Sequence, residues 1–331
     1  MSRTGSIALR VRFLGVVVFL LLLVAAFALV SPQFLTVSNG RTILFTAAIL
    51  VVAVAGQTIV VLTGNLDLSV GSIMGFTAYV VYDVSSGSPG LQAAVVPLAL
   101  VVGAVLGWLN GFLVAVLEIP SIVATLGTLA VYRGATAVYA DSGQVTSGMI
   151  PGWVKSVSTG TVAGIPYYVL IAAAVVALVG WVLSSLPWGR RIYAYGSNPR
   201  AARFFGLDPT RIVIGAYVAA GMIAALAGLM LGGQVGVIGS LLANGYEIQV
   251  LAAAVIGGVS IWGGSGSVVG AALGAVVLAT INNGLVQQQV QEYYRLLIQG
   301  VTIILAVGVD AVVQRRVTGI NRRRRIMEVA K

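Results

Sequence analysis

Few residues in this 331-residue chain have the chemistry to act on another molecule, and most of those lie within apolar sequence. Asp67 stands in Gly64-Asn65-Leu66-Asp67-Leu68-Ser69-Val70-Gly71-Ser72, between two apolar runs. A carboxylate facing lipid there is costly, so Asp67 must meet a partner or border a polar path. A short turn at the inner membrane surface, with Asp67 capping the next helix, accounts for it equally well. A second polar group opens at Pro120-Ser121, where Thr125, Thr128 and Tyr132 follow at helical spacing. Their hydroxyls would suit a passage for a polyhydroxylated solute, yet threonines can also bond back to their own helix. Histidine and cysteine are absent. That excludes thiol nucleophiles, imidazole acid–base chemistry and metal sites built on these ligands. No carboxylate pair stands out either, so no catalytic residue, metal site or bound cofactor is expected in this chain.

The third group is basic. Pro187 to Ile212 carries Arg190, Arg191, Arg200, Arg203 and Arg211 in the longest polar interruption of the sequence. A short helix within it is marked at both ends. Asn198 suits the N-cap, Pro199 the first helical position, and Gly206 the left-handed residue that stops the helix. Asp208 and Pro209 mark a second start into the apolar run from Ile212. A capped helix of about two turns has too little apolar surface to form a domain. Something outside the chain must use it.

The elements that position these groups are membrane spans. The chain is 59% hydrophobic and 8% charged, with a mean hydropathy of +1.02. A water-soluble domain has more polar surface than this, and the apolar runs are continuous rather than alternating, which argues against a β-barrel. The fold class is therefore an all-α membrane protein. Spans are expected at 13–30, 41–63, 66–86, 92–117, 120–140, 166–186, 211–233, 247–262, 267–288 and 295–313. Ala26-Phe27-Ala28 resembles a cleavage site, but the first run exceeds the usual signal core and is read as a retained span. Ten spans put both termini on one side. Placing them in the cytoplasm puts 15 of the 19 Lys and Arg inside, leaving Arg41, Arg133, Lys155 and Arg295 outside. The excess of basic residues on the cytoplasmic side supports that choice. The whole chain, 1–331, reads as a single transmembrane domain with a cytoplasmic loop at 187–211 and a basic cytoplasmic tail at 314–331. The net charge of +10 thus reflects topology and contact with anionic lipid rather than nucleic acid. The longest external segment, 141–164, is either a contact for an external partner or a connector.

An internal echo is also present. Val101-Val102-Gly103-Ala104-Val105-Leu106-Gly107 recurs as Val268-Val269-Gly270-Ala271-Ala272-Leu273-Gly274, and Asn110-Gly111 and Asn283-Gly284 follow the two copies. The copies lie five spans apart, so the directions reverse, the mark of an inverted five-plus-five repeat. Small-xxx-small patterns for close helix packing explain the glycines alone. Each half also has a Gly-rich break, at 64–72 and 257–267.

Four of these stretches carry a resemblance. GNLDLSVGS at 64–72, IPSIVATLGTLAVYRG at 119–134, YAYGSNPRAARFFGL at 193–207 and IGGVSIWGGSGSVVGAALGA at 256–275 are similar to segments of permeases from ATP-binding cassette sugar importers of the ribose, autoinducer-2 and rhamnose type. The resemblance implies a subunit of the bacterial cytoplasmic (inner) membrane that pairs with a second permease copy or paralogue. It implies that ATP is used by a separate cytosolic ATPase, and that an extracytoplasmic binding protein delivers a sugar or sugar-like solute. Asn198, Pro199, Arg200, Ala201, Ala202, Arg203, Phe204, Phe205 and Gly206 would then form the coupling helix gripped by the ATPase. Asn65, Asp67, Ser69, Asn110, Thr125, Thr128 and Asn283 are the candidate lining of the path. Arg200 departs from the family pattern, which often has Glu there. Branched-chain amino acid permeases share the architecture and are the nearest alternative, favoured if charged groups line the path. An ion-coupled secondary transporter would need more intramembrane acids, and only Asp67 and Asp310 are clear candidates.

Overall fold

The computed structural model describes residues 3–302, 304 and 308, with side chains from residue 14 onward. The chain is almost wholly helical. In order it forms α1 (Arg3–Val30), a 3-10 turn (Pro32–Leu35), α2 (Val37–Leu62), α3 (Val70–Ser85), α4 (Pro89–Ala93), α5 (Val95–Ala115), α6 (Ser121–Ala140) and α7 (Gly152–Thr159). A two-strand hairpin follows, β1 (Thr161–Val162) and β2 (Ile165–Pro166). Then come α8 (Tyr167–Ser185), α9 (Pro187–Ser197), α10 (Pro199–Phe204), α11 (Pro209–Val235), α12 (Tyr246–Ile256) and α13 (Val268–Gln287). Residues 292–302 are again helical. Residues 303, 305–307 and 309–313 of the expected span at 295–313, Asp310 among them, and the whole tail 314–331 lie outside the described residues.

Six of the described helices are long and apolar enough to cross a bilayer: α2, α5, α6, α8, α11 and α13. The expected spans at 66–86 and 247–262 prove shorter. α3 has 16 residues and α12 has 11, so at 1.5 Å per residue α12 covers only about 16 Å of a core about 30 Å thick. The rest of each stretch is non-helical: residues 63–69 before α3, 236–245 before α12, and 257–267 after it.

The centre of the bundle is α2 and α11. Every residue of α2 from Ala47 to Leu62 is buried, as befits a helix that is apolar all round. α11 packs along α5 through a small-residue seam. A Cβ on Gly103 would collide with the Gly221 carbonyl, one on Gly107 with the Tyr217 carbonyl, and one on Gly111 with Ile214. Residue numbers rise on one helix as they fall on the other, so the two run antiparallel with backbones nearly touching. The second copy of the echoed pattern is used alike: Gly270 and Gly274 admit the backbone of Gly257 and Ala253. Close packing thus accounts for the glycines in both copies. α5, α6 and α8 expose Val105, Trp108, Val131, Val138, Leu178 and Trp181, the outward surface expected against lipid.

The segment 141–164, expected outside the membrane, is folded rather than slack. Val145 pairs with Ile238 as a β-bridge, and the Trp153 indole donates to the Gln92 carbonyl at 3.0 Å.

Candidate functional site

The basic interruption folds into two helices, one of them unforeseen. α9 begins with Pro187 at its first turn and buries Gly189, Ile192 and Gly196. α10 is capped as the sequence predicts. Asn198 is extended and its side chain accepts from Ala201 N–H at 3.0 Å, with Pro199 at the first helical position. Gly206 has φ +77° and ends the helix, where Leu207 N–H donates to the Ala202 carbonyl at 3.1 Å. Asp208 then accepts from Thr210 and Arg211 N–H at 3.0 and 3.3 Å and starts α11. Only Ala202 of α10 is buried. Phe204 and Phe205 are 91% and 85% exposed, side by side with exposed Arg200 and Arg203.

α9 rests on both Gly-rich breaks. Gly264 N–H donates to the Leu62 carbonyl at 2.9 Å, and the Tyr193 hydroxyl donates to the Gly266 carbonyl at 2.9 Å. A side chain on Gly196 would collide with the Leu62 carbonyl, and one on Gly263 would meet Gly64 N at 2.7 Å and Gly196 O at 3.0 Å. The end of α2, the 257–267 loop and the end of α9 therefore meet backbone to backbone. Beside them lies a cleft of about 660 Å³ lined by Asn65, Glu118, Ser121, Tyr195, Arg203 and Thr210, among others. Burial raises the Tyr195 phenol's pKa, and the Arg203 charge beside it partly opposes this.

Above this junction the non-helical stretch 63–69 is held by side chains from three helices. Leu66 N–H donates to Ser121 Oγ at 3.2 Å, and the Leu66 carbonyl accepts from Tyr217 OH at 2.8 Å and Thr125 Oγ1 at 3.5 Å. Backbone freed from a helix in a membrane must be satisfied in this way or by water. Asp67 is almost fully buried, and its Oδ1 accepts from Ser69 N–H at 2.8 Å and Ser69 Oγ at 2.6 Å. Asn110 Nδ2 donates to Ser69 Oγ at 2.7 Å, and Tyr132 OH donates to Asn110 Oδ1 at 3.3 Å. Asp67 thus both ties the turn ahead of α3 and heads a buried polar chain reaching α5 and α6.

Of the expected path residues, Asp67, Ser69, Asn110 and Thr125 come together here. Thr128 bonds back to the Thr125 carbonyl at 3.3 Å, and Asn65 donates to Thr63 Oγ1 at 2.9 Å while lining the cleft. Asn283 stands apart near the far end of α13. Its neighbour Gly284 packs on Phe27, and among the described residues its buried Oδ1 has no hydrogen-bond partner.

Sequence reasoning missed the charged pair. Arg133, expected on the outer face, lies 12 residues into the 20-residue α6, about 18 Å from its first residue. Its guanidinium bonds Asn244 Oδ1 and lies 3.7 Å from Glu247 Oε2. Glu247 also was not counted among the intramembrane acids. The signal lay in Tyr132-Arg133, where a charge breaks an apolar run beside a hydroxyl. Gln57 was missed as well: it is buried in the last two turns of α2, with neither amide atom partnered among the described residues.

A lipid-embedded bundle with broken helices and an exposed handle is the geometry of a transport permease. Residues 40–307 match the family described as "Branched-chain amino acid transport system / permease component", and the chain belongs to that family. Among curated proteins it is similar to the ribose import permease protein RbsC of Haemophilus influenzae, at 32% identity over 88% of this chain and 90% of the relative. RbsC of Escherichia coli K12 is 34% identical over 88% and 91% of the two chains. The autoinducer 2 import system permease protein LsrC of Yersinia pseudotuberculosis is 36% identical over 86% and 80%. No solved structure matches it significantly. The chain is thus a multi-pass membrane permease.

Proposed function

We propose that the chain is the path-forming subunit of an ATP-driven, binding-protein-dependent importer for a sugar or sugar-like solute. ATP is hydrolysed by a separate cytosolic subunit, a binding protein delivers the solute outside, and two permease copies or paralogues pair in the membrane. The observation that carries this reading is the pair Phe204–Phe205, adjacent, apolar and almost wholly exposed on a capped helix. Exposed aromatic residues flanked by arginines suit a groove with an acidic rim on a partner. Their mounting supports the same reading, since α9 leans on both breaks and so joins the handle to the interior.

The topology that goes with it has ten crossings and both termini in the cytoplasm. One crossing is discontinuous, made of 236–245 followed by α12, and the two halves form an inverted repeat. The candidate path runs from the cleft by Asn65 towards Asp67, Ser69, Asn110, Thr125 and Thr128, with Asn283 in the other half. The named relatives import ribose and autoinducer 2, which favours a sugar-like solute here. The branched-chain amino acid alternative would require the Arg133–Glu247 pair to open to a zwitterion, and the named relatives give it no support. An ion-coupled transporter is disfavoured, since Asp67 and Glu247 are each engaged by a partner.

The test is a double Phe204→Ala, Phe205→Ala variant. Membrane abundance should hold while ATP-dependent uptake of radiolabelled D-ribose falls to background. Unchanged uptake would remove the coupling role, and uptake of L-leucine instead of D-ribose by the unaltered chain would favour the amino acid reading.

A further inference from the structure

Arg133, Asn244 and Glu247 form the most polar cluster in the bundle apart from the Asp67 chain, and nothing in the importer reading so far uses it. Its position is costly. Arg133 lies near the middle of α6, where a charge in the hydrocarbon region is tolerated only with a partner or a wet cavity. The pair is also poorly closed for a structural bridge: Arg133 Nη2 and Glu247 Oε2 stand 3.7 Å apart. Among the described residues neither buried atom has a hydrogen-bond partner. A buried ion pair adds little to stability even when its geometry is good, so stability does not explain this one.

The backbone around it is equally unusual. Between α11 and α12 the chain is non-helical for 236–245, with Ala243 at φ +60° and Gly245 at φ +84°. Part of this stretch turns inward: Ile238 and Ala243 are buried, whereas Val237, Leu241 and Asn244 stay exposed. A Cβ on Gly75 would meet the Leu242 carbonyl, and one on Gly71 would lie 2.7 Å from the Ala243 carbonyl and collide with Glu247 Oε2. The unwound segment therefore lies against the first turns of α3, just above Ser69 and Asp67. Non-helical backbone at that depth belongs where it is buried in protein or lines water. Gly71 is the residue that leaves room for the carboxylate.

We infer that Arg133, Asn244 and Glu247 are a hydroxyl-recognising station in the path, selecting an uncharged polyhydroxylated solute. A carboxylate can accept two hydroxyls, and a guanidinium and a carboxamide can each donate to sugar oxygens. The pair is net neutral, so an uncharged solute enters without leaving either member opposite a like charge. The loose 3.7 Å contact opens at little cost to admit it. This assignment rests on the importer reading and gives it a solute contact.

Two measurements test it. The chain has no cysteine, so Asn244→Cys in the full protein carries a single thiol. A membrane-impermeant maleimide should label it in intact cells or inside-out vesicles, while Ala253→Cys, in dry packing against α13, stays unlabelled. Failure to label Asn244→Cys from either side overturns the station. The second variant is Arg133→Gln with Glu247→Gln, which removes both charges together. Membrane abundance and thermal stability should be kept or raised, whereas ATP-dependent uptake of tritiated D-ribose should fall about tenfold or more. Uptake within about twofold of the unaltered chain overturns the inference and leaves the importer reading intact. Uptake that survives ATP depletion in the unaltered chain defeats the importer reading and this assignment with it. The labelling experiment requires no solute, so its failure overturns the station even if the glutamine variant accumulates poorly, and the uptake of the double glutamine variant decides it when Asn244→Cys is labelled.

Discussion

At the residue scale, Asp67 shows how one side chain can serve two roles that the sequence kept apart. Its Oδ1 receives both Ser69 bonds, which is the work of a turn cap. It also begins a chain of contacts to Asn110 and Tyr132, as a path residue would. The roles separate by substitution. Asp67→Asn keeps an acceptor oxygen, so the fold should persist, and a fall in uptake would then report contact with the path. Asp67→Ala leaves two buried donors of Ser69 without an acceptor, at about 1–3 kcal/mol. A lower thermal midpoint for Asp67→Ala than for Asp67→Asn in purified protein checks this. Gly71 allows a sharper prediction. Gly71→Ala drives a Cβ into Glu247 and the Ala243 carbonyl, an overpacking worth about 1–3 kcal/mol. It should lower membrane abundance, whereas Gly87→Ala, in open space, should not.

At the element scale, the broken helices are what the bundle is built to hold. α3 and α12 are short because their neighbouring segments supply backbone groups to other partners: Leu66 to Ser121 and Tyr217, Ile238 to Val145, Leu62 to Gly264. The α5–α11 seam provides the rigid frame. Gly221→Leu should force the two helices apart, because even a Cβ collides with the Gly103 carbonyl. Loss of folded protein from the membrane fraction is the expected result, and normal accumulation would contradict the packing. α10 invites a gentler change. Asn198→Ala removes the cap of a helix with six residues and costs about 1 kcal/mol, so coupling should weaken; Asn198→Ser should restore it, as read from ATP-dependent uptake.

For the whole molecule, the arrangement is a handle, a junction and an interior. α10 is exposed, α9 braces it, and α9 touches the ends of both broken regions, from which the polar chain rises towards α5 and α6. In the proposed importer, force applied at Phe204 and Phe205 would reach Leu62, Gly264 and the segment bearing Asp67 through the packing of α9. The orientation is testable on the same cysteine-free background. Arg200→Cys should be labelled by an impermeant maleimide in inside-out vesicles and protected in intact cells. Labelling from outside would invert the topology and remove the ATPase-facing role of the handle.

What the sequence determined by itself was local or compositional. Caps at Asn198 and Asp208, the stop at Gly206 and the long apolar spans depend on neighbours within a few residues, so short-range chemistry is enough to read them. The polar residues at 65–69, Asn110 and Thr125 could be picked out because a hydrophilic side chain in apolar sequence needs a reason. Only the tertiary structure decided which of these meet. Asp67 and Asn110 are 43 positions apart and are joined through Ser69, Arg133 and Glu247 are 114 apart, and Asn283, equally suggestive on paper, was left at the far end of α13. Likewise α12 is apolar, but the stretch before it packs against Gly71 and Gly75 of α3 and pairs with Val145 instead of continuing the helix. A charge in a membrane is placed by the partner that neutralises it, and that partner is chosen by how helices pack.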